Sequence, residues 1–543
     1  MTRDMVSADP VGPPRWNGWG DPDRAVTLPG AVRVLLPVLL GRIRRPAPAA
    51  TLAEVRLAPS RLTPADLDAL RSVVGAEAVD TTDEARIRHA GGRSTMDLLR
   101  RRHPEQAAPD AVLRPADHDQ VAACLRSAAQ RGVAVVPYGG GTSVVGGLDP
   151  ERRAHRAVVS LDLRRLSGLI ALDEVSGEAV FGAGTAGPEA EALLAAHGLE
   201  LGHYPQSFRY ATLGGFAATR SSGQNSAGYG RFETMVTGLR VAAPGGDLDL
   251  GRAPGSAAGP DLLRLFLGSE GALGVITEVR VRVHSRPSER IVEAWRFPNF
   301  TAGVDALRRV AQQGTGATVI RLSDESETAV SLAQMGRIGR ALSRGASAVT
   351  VFEGADAAGR RERTAAVLRV AGGTSAGEHD ADDWLRSRFD GPYLRDALLD
   401  AGVFCETLET AANWSRLHAL RGAVDQTLRR GFADAGARPY IMCHISHIYP
   451  TGASLYFTVL AGGMPADALT AWLRIKAAVN DAIIAANGTI THHHAIGRDH
   501  APWLADEIGE TGVRILAAVK RELDPNGILN PGALVAAVSQ KGS

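Results

Sequence analysis

Pro137-Tyr-Gly-Gly-Gly-Thr-Ser-Val-Val-Gly-Gly147 continues directly from Val133-Ala-Val-Val-Pro137, a short valine-rich run that reads as a buried strand. Successive glycines, lacking Cβ atoms, let backbone N–H groups converge on an anion such as a pyrophosphate. Two familiar phosphate loops are excluded. A Walker loop ends in Gly-Lys-Ser/Thr, whereas Thr142 and Ser143 here follow three glycines with no lysine. A dinucleotide turn needs G-x-G-x-x-G opening a helix, and that spacing is missing too. By itself the stretch is equally well explained as a structural turn. Two more glycine-rich stretches follow it. One is Pro205-Gln-Ser-Phe-Arg-Tyr-Ala-Thr-Leu-Gly-Gly215, with Thr219-Arg-Ser-Ser-Gly-Gln-Asn-Ser-Ala-Gly-Tyr-Gly230 behind it. The other is Leu267-Gly-Ser-Glu-Gly-Ala-Leu-Gly-Val-Ile-Thr277, where glycines bring the backbone close to something flat or anionic just before a strand.

Outward from these stretches, strand and helix signals alternate. Asp117 to Arg131 has apolar residues at helical spacing, and strands are expected at 133–137, 157–163, 178–181 and 275–283. Upstream, Thr63 is placed to cap a helix that Pro64 opens and Val74 ends. Arg286-Pro287 reads as a boundary, and helical stretches at 302–313 and 414–431 follow it. The expected fold class is α+β, and 543 residues are enough for two or three domains.

Composition narrows the function classes. Sixty basic and fifty-nine acidic residues leave a net charge of +1, which argues against non-specific binding of nucleic acid. Only Lys476, Lys520 and Lys541 are lysines, so the positive charge is almost entirely guanidinium, read first as codon bias and second as anion recognition. Three scattered cysteines, Cys124, Cys405 and Cys443, are too few for a disulfide framework or a thiolate metal site and suit a reducing cytoplasm. Met1–Pro14 has no apolar core of a secretory signal, Gln540–Ser543 carries no recognisable address, and no apolar run has membrane-spanning length. Val32-Arg-Val-Leu-Leu-Pro-Val-Leu-Leu-Gly-Arg-Ile-Arg-Arg45 is short and broken by Pro37, yet its arginines flank a greasy centre. A buried N-terminal element is favoured there over peripheral membrane contact, and both readings stay open.

The three glycine stretches, in this order, resemble the FAD-binding domain of the vanillyl-alcohol oxidase and p-cresol methylhydroxylase superfamily. Within it the chain is most similar to the alkyldihydroxyacetonephosphate synthase (alkylglycerone-phosphate synthase) family, as a bacterial-type homologue. That similarity runs from Arg15-Trp-Asn-Gly-Trp-Gly20 through Arg86-Ile-Arg-His-Ala-Gly-Gly92, Ile320-Arg-Leu-Ser-Asp324, Tyr393-Leu-Arg-Asp396 and Gly452-Ala-Ser-Leu-Tyr-Phe457. It continues through Thr491-His-His-His494 and Val519-Lys-Arg-Glu-Leu-Asp-Pro-Asn526. The resemblance implies a partly helical N-terminal extension at 1–106 and a two-subdomain FAD-binding domain at 107–287. A substrate or cap domain with an antiparallel sheet and helices follows at 288–458, and a C-terminal helical segment at 459–543 closes on the flavin site.

It also implies site residues. Non-covalent FAD is expected to lie against Pro137, Tyr138, Gly139, Gly140, Gly141, Thr142 and Ser143, then His203, Pro205, Gln206, Ser207, Thr212, Gly215, Thr219, Ser221 and Ser222. The third stretch adds Glu270, Gly274, Val275 and Ile276. Ser256, Arg321 and Arg395 are the expected substrate contacts. The expected catalytic set is Tyr456, His492, His493, His494, Arg321 and Arg395. Physically, a histidine triplet offers imidazoles tunable across neutrality, although a solvated run or a metal site would look alike; no neighbouring carboxylate or cysteine completes a zinc pattern, so no metal is expected. Tyr456 in an apolar strand is as readily a core tyrosine, and Arg395 as readily an ion-pair partner of Asp396 or Asp400. Arg321, flanked by apolar residues, calls for an anionic partner. The chain departs from the family at His444 and His447, where arginine and glutamine are expected. As two positions of one strand they would face opposite ways, which makes a shared metal between them unexpected.

The implied reaction has no net redox change. Acyl-dihydroxyacetone phosphate loses a proton at C1, that carbon bonds to N5 of oxidised FAD, the fatty acid leaves and a fatty alcohol adds, giving an ether-lipid precursor. An acid/base group at C1 is assigned to the triplet, with His493 first, and a proton relay to the leaving carboxylate to Tyr456. The implied state is a homodimer in the cytoplasm, with peripheral membrane contact left open. The rival readings are an FAD-linked oxidase or dehydrogenase of a hydroxy acid or alcohol, and a non-catalytic flavin-binding protein at a membrane surface.

Overall fold

The computed structural model describes residues 12, 14–28, 30–334 and 345–535. Apart from Gly12 and Pro14, the two stretches inspected for targeting signals, Met1–Pro14 and Gln540–Ser543, lie outside them. In the N-terminal part, α1 (Gly30–Leu40) contains Pro37 and buries Leu36 and Leu40 against Leu398, Val403 and Cys405. Its other face, Val34, Leu35, Val38 and Leu39, is exposed. Helix α2 (Pro64–Val74) opens as expected: Thr63 Oγ1 accepts from the Asp66 N–H, and the Asp66 carboxylate accepts from the Thr63 N–H at 2.8 Å.

The first glycine stretch leaves a small mixed sheet. Its strands are β1 (Val79–Asp80), β2 (Ala111–Leu113), β3 (Val133–Tyr138) and β4 (Ala157–Asp162), in the order β1-β2-β4-β3, with α3 (His118–Arg131) leading into β3. Strands β2 and β3 run parallel to β4, and nearly every residue of the three is buried, as a sheet covered on both faces requires. The free edge of β3 is covered by the chain's far end: the Val135 N–H donates to the Ile528 carbonyl, and the Asn530 N–H to the Val135 carbonyl, each at 2.8 Å.

The second subdomain is an antiparallel sheet in the order β8-β7-β9-β6-β5. Its strands are β5 (Leu169–Asp173), β6 (Glu178–Gly182), β7 (Val236–Ala242), β8 (Leu248–Leu250) and β9 (Val275–Arg282), with α4 (Leu213–Thr219) packed against them. His118 Nδ1 meets Thr277 Oγ1 at 2.8 Å and ties the two sheets together. The first and second glycine stretches touch backbone to backbone. A Cβ on Gly140 would overlap the Tyr210 carbonyl, so only glycine permits the approach.

The cap is one antiparallel sheet in the order β13-β10-β12-β11-β15-β17-β14. It comprises β10 (Arg290–Phe297), β11 (Val319–Ser323), β12 (Ala346–Glu353), β13 (Thr374–Gly377), β14 (Phe404–Asn413), β15 (Arg438–Ile445) and β17 (Gly452–Gly462), with β16 (Ile448–Tyr449) pairing on β17. Its helices include α5 (Phe300–Gln313), α6 (Gly391–Asp400), α7 (Trp414–Asp434) and α8 (Ala468–Ala485). The boundary placed at 458 falls inside β17, and α8 shares one apolar core with α7 through Trp472, Phe432 and Phe404. The cap therefore extends to about Ala485, because a ladder ten residues long cannot be divided between domains. Beyond it, the segment 489–500 and α9 (Leu504–Leu523) return to the glycine-rich subdomains.

Glu353, at the end of β12, joins cap to flavin domain by accepting from Arg290 Nε at 2.6 Å and from the Tyr229 hydroxyl at 3.0 Å. Nearby, burial and the like charges of Glu191 and Glu353 push the Glu200 carboxyl up to about 8. A raised acid favours the folded state fully below its unfolded value, and that advantage is lost as pH climbs toward the folded value. Glu200→Gln should therefore melt on the order of 2–4 °C above the parent protein at pH 8.5 and show little difference at pH 5, as read by thermal melts at both pH values. Equal gains at both would remove Glu200 ionisation as the cause.

Candidate active site

Strand register assembles the site. Ser323 of β11 pairs with His444 of β15, His444 with Tyr456 of β17, and Tyr456 with Glu409 of β14. Directly paired residues of neighbouring strands share a face, and Arg321 shares it by the two-residue period. One face of the cap sheet thus carries Arg321, His444, Tyr456 and Glu409 in a row.

Glu409 holds the histidine triplet to that face. Its buried carboxylate accepts from the backbone N–H groups of His492 (2.5 Å), His493 (3.2 Å) and His494 (3.0 Å), and from the Thr491 hydroxyl at 2.5 Å. The Thr489 N–H donates to the Ala411 carbonyl and the Thr410 hydroxyl to the Thr489 carbonyl, so the segment lies along β14 like a short added strand. Burial alone would raise the Glu409 carboxyl, but the surrounding imidazoles and the Thr491 hydroxyl hold it well below the carboxylate range.

The rings then stack. His444 lies on Tyr456 at 4.8 Å between centroids, and Tyr456 faces His493 at 6.0 Å with planes only 19° apart. His492 Nε2 meets the Tyr449 hydroxyl at 2.6 Å, and His492 Nδ1 meets His493 Nδ1 at 2.9 Å. Burial is the largest cause of each shift here: it pushes His493 down to about 3, lowers His492, His494 and His444, and pushes the Tyr456 phenol up to about 12. Near neutral pH the site therefore holds neutral imidazoles able to take a proton beside a neutral phenol able to give one. Arg321 Nη2 donates to Glu327 at 2.5 Å and lies 2.9 Å from His444 Nδ1.

The expected flavin contacts lie on the three glycine stretches and the turns beside them. Among the described residues no hydrogen bond has a backbone N–H of Gly139 to Val145 as its donor, so this row of donors suits an anionic ligand. Thr212 caps α4, accepting from the Gly215 N–H at 3.2 Å, and Thr219 bonds the Gly215 carbonyl. Glu270 adopts φ of 50° and accepts from the Gly497 N–H at 2.6 Å; Gly274, Val275 and Ile276 lead into β9. His203 is buried between Phe216 and Phe232, with Nε2 3.1 Å from Ser221 Oγ and Nδ1 unpartnered. Pro205 and Ser207 accept in the turn before Ala211, Gln206 projects outward, and Ser222 Oγ lies 3.2 Å from His447. Free donors, orphaned buried polar atoms and close glycine backbones fit a flavin dinucleotide.

Two expected substrate contacts are placed differently from each other. Ser256 lies exposed on a surface loop, where its hydroxyl accepts from the Ala258 N–H, because nothing in 251–260 packs against the cap. Arg395, on α6, spends its donors on Asp396 and the Arg93 carbonyl, the ion pair that its position on a helix suggests. Asp396 in turn accepts from the Trp19 N–H, so Arg395 anchors the N-terminal tryptophan segment. His444 and His447 are not two positions of one strand: β15 ends at Ile445, and His447 turns toward the triplet. The sequence reading missed Glu409, Tyr449, Ser226 and Asn530. Glu409 had a visible signal, a carboxylate on the inward face of an alternating strand; the others depend on contacts far apart in the chain.

Two family models match the chain, an FAD binding domain over residues 109–249 and a C-terminal domain of FAD linked oxidases over 286–534. The alkyldihydroxyacetonephosphate synthase of Trypanosoma brucei brucei is 32% identical over 96% of this chain and 92% of its own. A solved alkyldihydroxyacetonephosphate synthase superposes with a TM-score of 0.82 at 28% identity, covering 96% of this chain and 98% of its own. p-Cresol methylhydroxylase, at 15% identity over 87% of this chain and 98% of its own, has a TM-score of 0.68 and shares the fold.

Glu409→Ala should leave three N–H groups without their acceptor, at about 1–3 kcal/mol for each buried group. Amide hydrogen exchange at His492–His494 is then expected to rise more than tenfold while β3 and β4 keep their protection. Unchanged exchange would show that the triplet is held by other contacts.

Proposed function

The chain belongs to the alkyldihydroxyacetonephosphate synthase family, and from that premise we propose that it exchanges the acyl group of acyl-dihydroxyacetone phosphate for a fatty alcohol, forming an ether bond. It is an FAD-dependent enzyme of the alkylglycerone-phosphate synthase type. The observation that carries the reading is the row on the cap sheet, where His444 joins Arg321 to Tyr456 and Tyr456 faces His493 of the triplet. FAD, when bound, supplies an electrophilic ring beside the reacting carbon.

The chain's own groups do the remaining work. His493, neutral and stacked near Tyr456, takes the C1 proton, and its neighbour His492 passes charge toward Tyr449. Tyr456 delivers a proton to the departing carboxylate, a step that needs a phenol kept protonated. Arg321, with Glu327 fixing one nitrogen, clamps the phosphate or the ester oxygen. Arg395 is a positioning residue, because its donors already hold Asp396 and Arg93. His203, bonded to Ser221 and enclosed by Phe216 and Phe232, supports non-covalent FAD. Among the described residues no helix is long and apolar enough to cross a membrane. Three free, buried cysteines support a cytoplasmic setting, and the outward face of α1, with Val34 72% and Val38 68% exposed, supports peripheral contact with lipid.

Purified flavoprotein given palmitoyl-dihydroxyacetone phosphate and labelled hexadecanol should yield labelled ether and free palmitate by mass spectrometry. His493→Ala and Tyr456→Phe should each lose at least about a hundredfold of that rate. Absence of ether together with bleaching of the flavin by a hydroxy acid would replace this reading by the oxidoreductase one. For the lipid contact, Val34, Leu35, Val38 and Leu39 all changed to Ser should abolish co-sedimentation with anionic phospholipid vesicles and leave the melting temperature in place; undiminished binding would move the contact off α1.

A further inference from the structure

His447, His492 and His493 each bring one ring nitrogen within 4.8 Å of the others, the one such trio among the described residues. Their ring centroids are 5.1–5.4 Å apart. Two segments far apart in the chain supply the convergence. His447 sits just past β15, locked by its N–H to Ser454 Oγ and its carbonyl to the Ser454 N–H. His492 and His493 are fixed through their backbone N–H groups by Glu409.

Two of the three rings are also oriented by an outer partner. His447 Nδ1 meets Ser226 Oγ at 2.6 Å and Ser222 Oγ at 3.2 Å, which leaves Nε2 as its nitrogen without a hydrogen bond. His492 Nε2 meets the Tyr449 hydroxyl, which points Nδ1 toward His493 Nδ1 at 2.9 Å. Two ring nitrogens that close need either one shared proton or a cation that takes both lone pairs. A hydroxyl behind the imidazole, as His447 and His492 have, is the outer arrangement that metal-ligating histidines adopt.

We propose that His447, His492 and His493 form a reversible site for a borderline divalent transition ion of the zinc class, with the fourth position open to water or a substrate oxygen. Three imidazoles with no thiolate select Zn²⁺, Co²⁺, Ni²⁺ or Cu²⁺ over Mg²⁺ or Ca²⁺, which require oxygen ligands. Bonds of about 2.0–2.1 Å ask the rings to close inward by roughly an ångström, within reach of side-chain rotation. The site stands on geometry alone. Its consequence rests on the function proposed above: an ion on His492 and His493 occupies the lone pairs that proton transfer uses, so it is an inhibitor that the substrate and metal status of the cell would set against each other.

The test uses the full-length, flavin-loaded protein, stripped by chelator and titrated with Co²⁺, then Zn²⁺. The expected result is one Co²⁺ per chain with the visible band of tetrahedral cobalt at wavelengths beyond the flavin, displaced by one equivalent of Zn²⁺. His447→Gln should weaken binding at least about a hundredfold, and Ser226→Ala, which removes only the outer partner, by about tenfold or more. Both variants are checked for flavin content and melting temperature. No tetrahedral band, or a band undiminished in both variants, overturns the site. A band that behaves as expected without ether synthesis by the parent protein would uphold the site and sink only the functional reading.

Discussion

A buried carboxylate that satisfies four donors from a segment some eighty residues away organises this molecule's chemistry. Glu409 belongs to the cap by its strand and to the histidine triplet by its hydrogen bonds, so one residue sets the distance between two walls of the site. An uncompensated carboxylate in that position would carry a heavy desolvation penalty; three successive backbone N–H groups and a hydroxyl offset it. The same interaction makes the triplet rigid, because backbone groups, unlike side chains, cannot rotate away from their acceptor.

The register of the cap sheet adds the second constraint. Pairing fixes His444, Tyr456 and Glu409 across three strands, and a one-residue slip in β17 would send Tyr456 to the opposite face. The buried apolar residues that alternate with them, such as Leu455, Phe457 and Val459, penalise any such slip. Catalytic geometry is thus a by-product of core packing on the other side of the sheet.

Much of this was legible in the sequence. The glycine stretches announced close backbone approaches, which Gly140 against Tyr210 and the unpaired N–H groups of Gly139 to Val145 embody. The helices expected from Thr63 and from Asp117 and the strands expected at 133–137, 157–163, 178–181 and 275–283 lie within a residue or two of those limits, since capping and alternation are local properties, whereas β5 and β7 had no such local signal. Tyr456 and the triplet came from motif resemblance, and the structure brings them side by side. What stayed hidden was long-range. The solitary Ser256 matched a pattern without the packing that would carry it inward, and Arg395, which α6 does carry inward, has its donors taken by Asp396 and the Arg93 carbonyl. His447 was misplaced because the end of a strand is set by a turn, here the one closed by Ser454, and not by hydrophobic alternation.

The edge of β3, covered by Leu529, has a bearing on how the protein is made. Asn530 also donates to the carbonyls of Gly147 and Glu270, stitching the first and third glycine stretches together. During synthesis the first sheet leaves the ribosome with that edge bare and waits for almost four hundred further residues before its last neighbour arrives. The first sheet therefore keeps an unpaired strand edge until residues 528–530 have been made, however early its own residues fold.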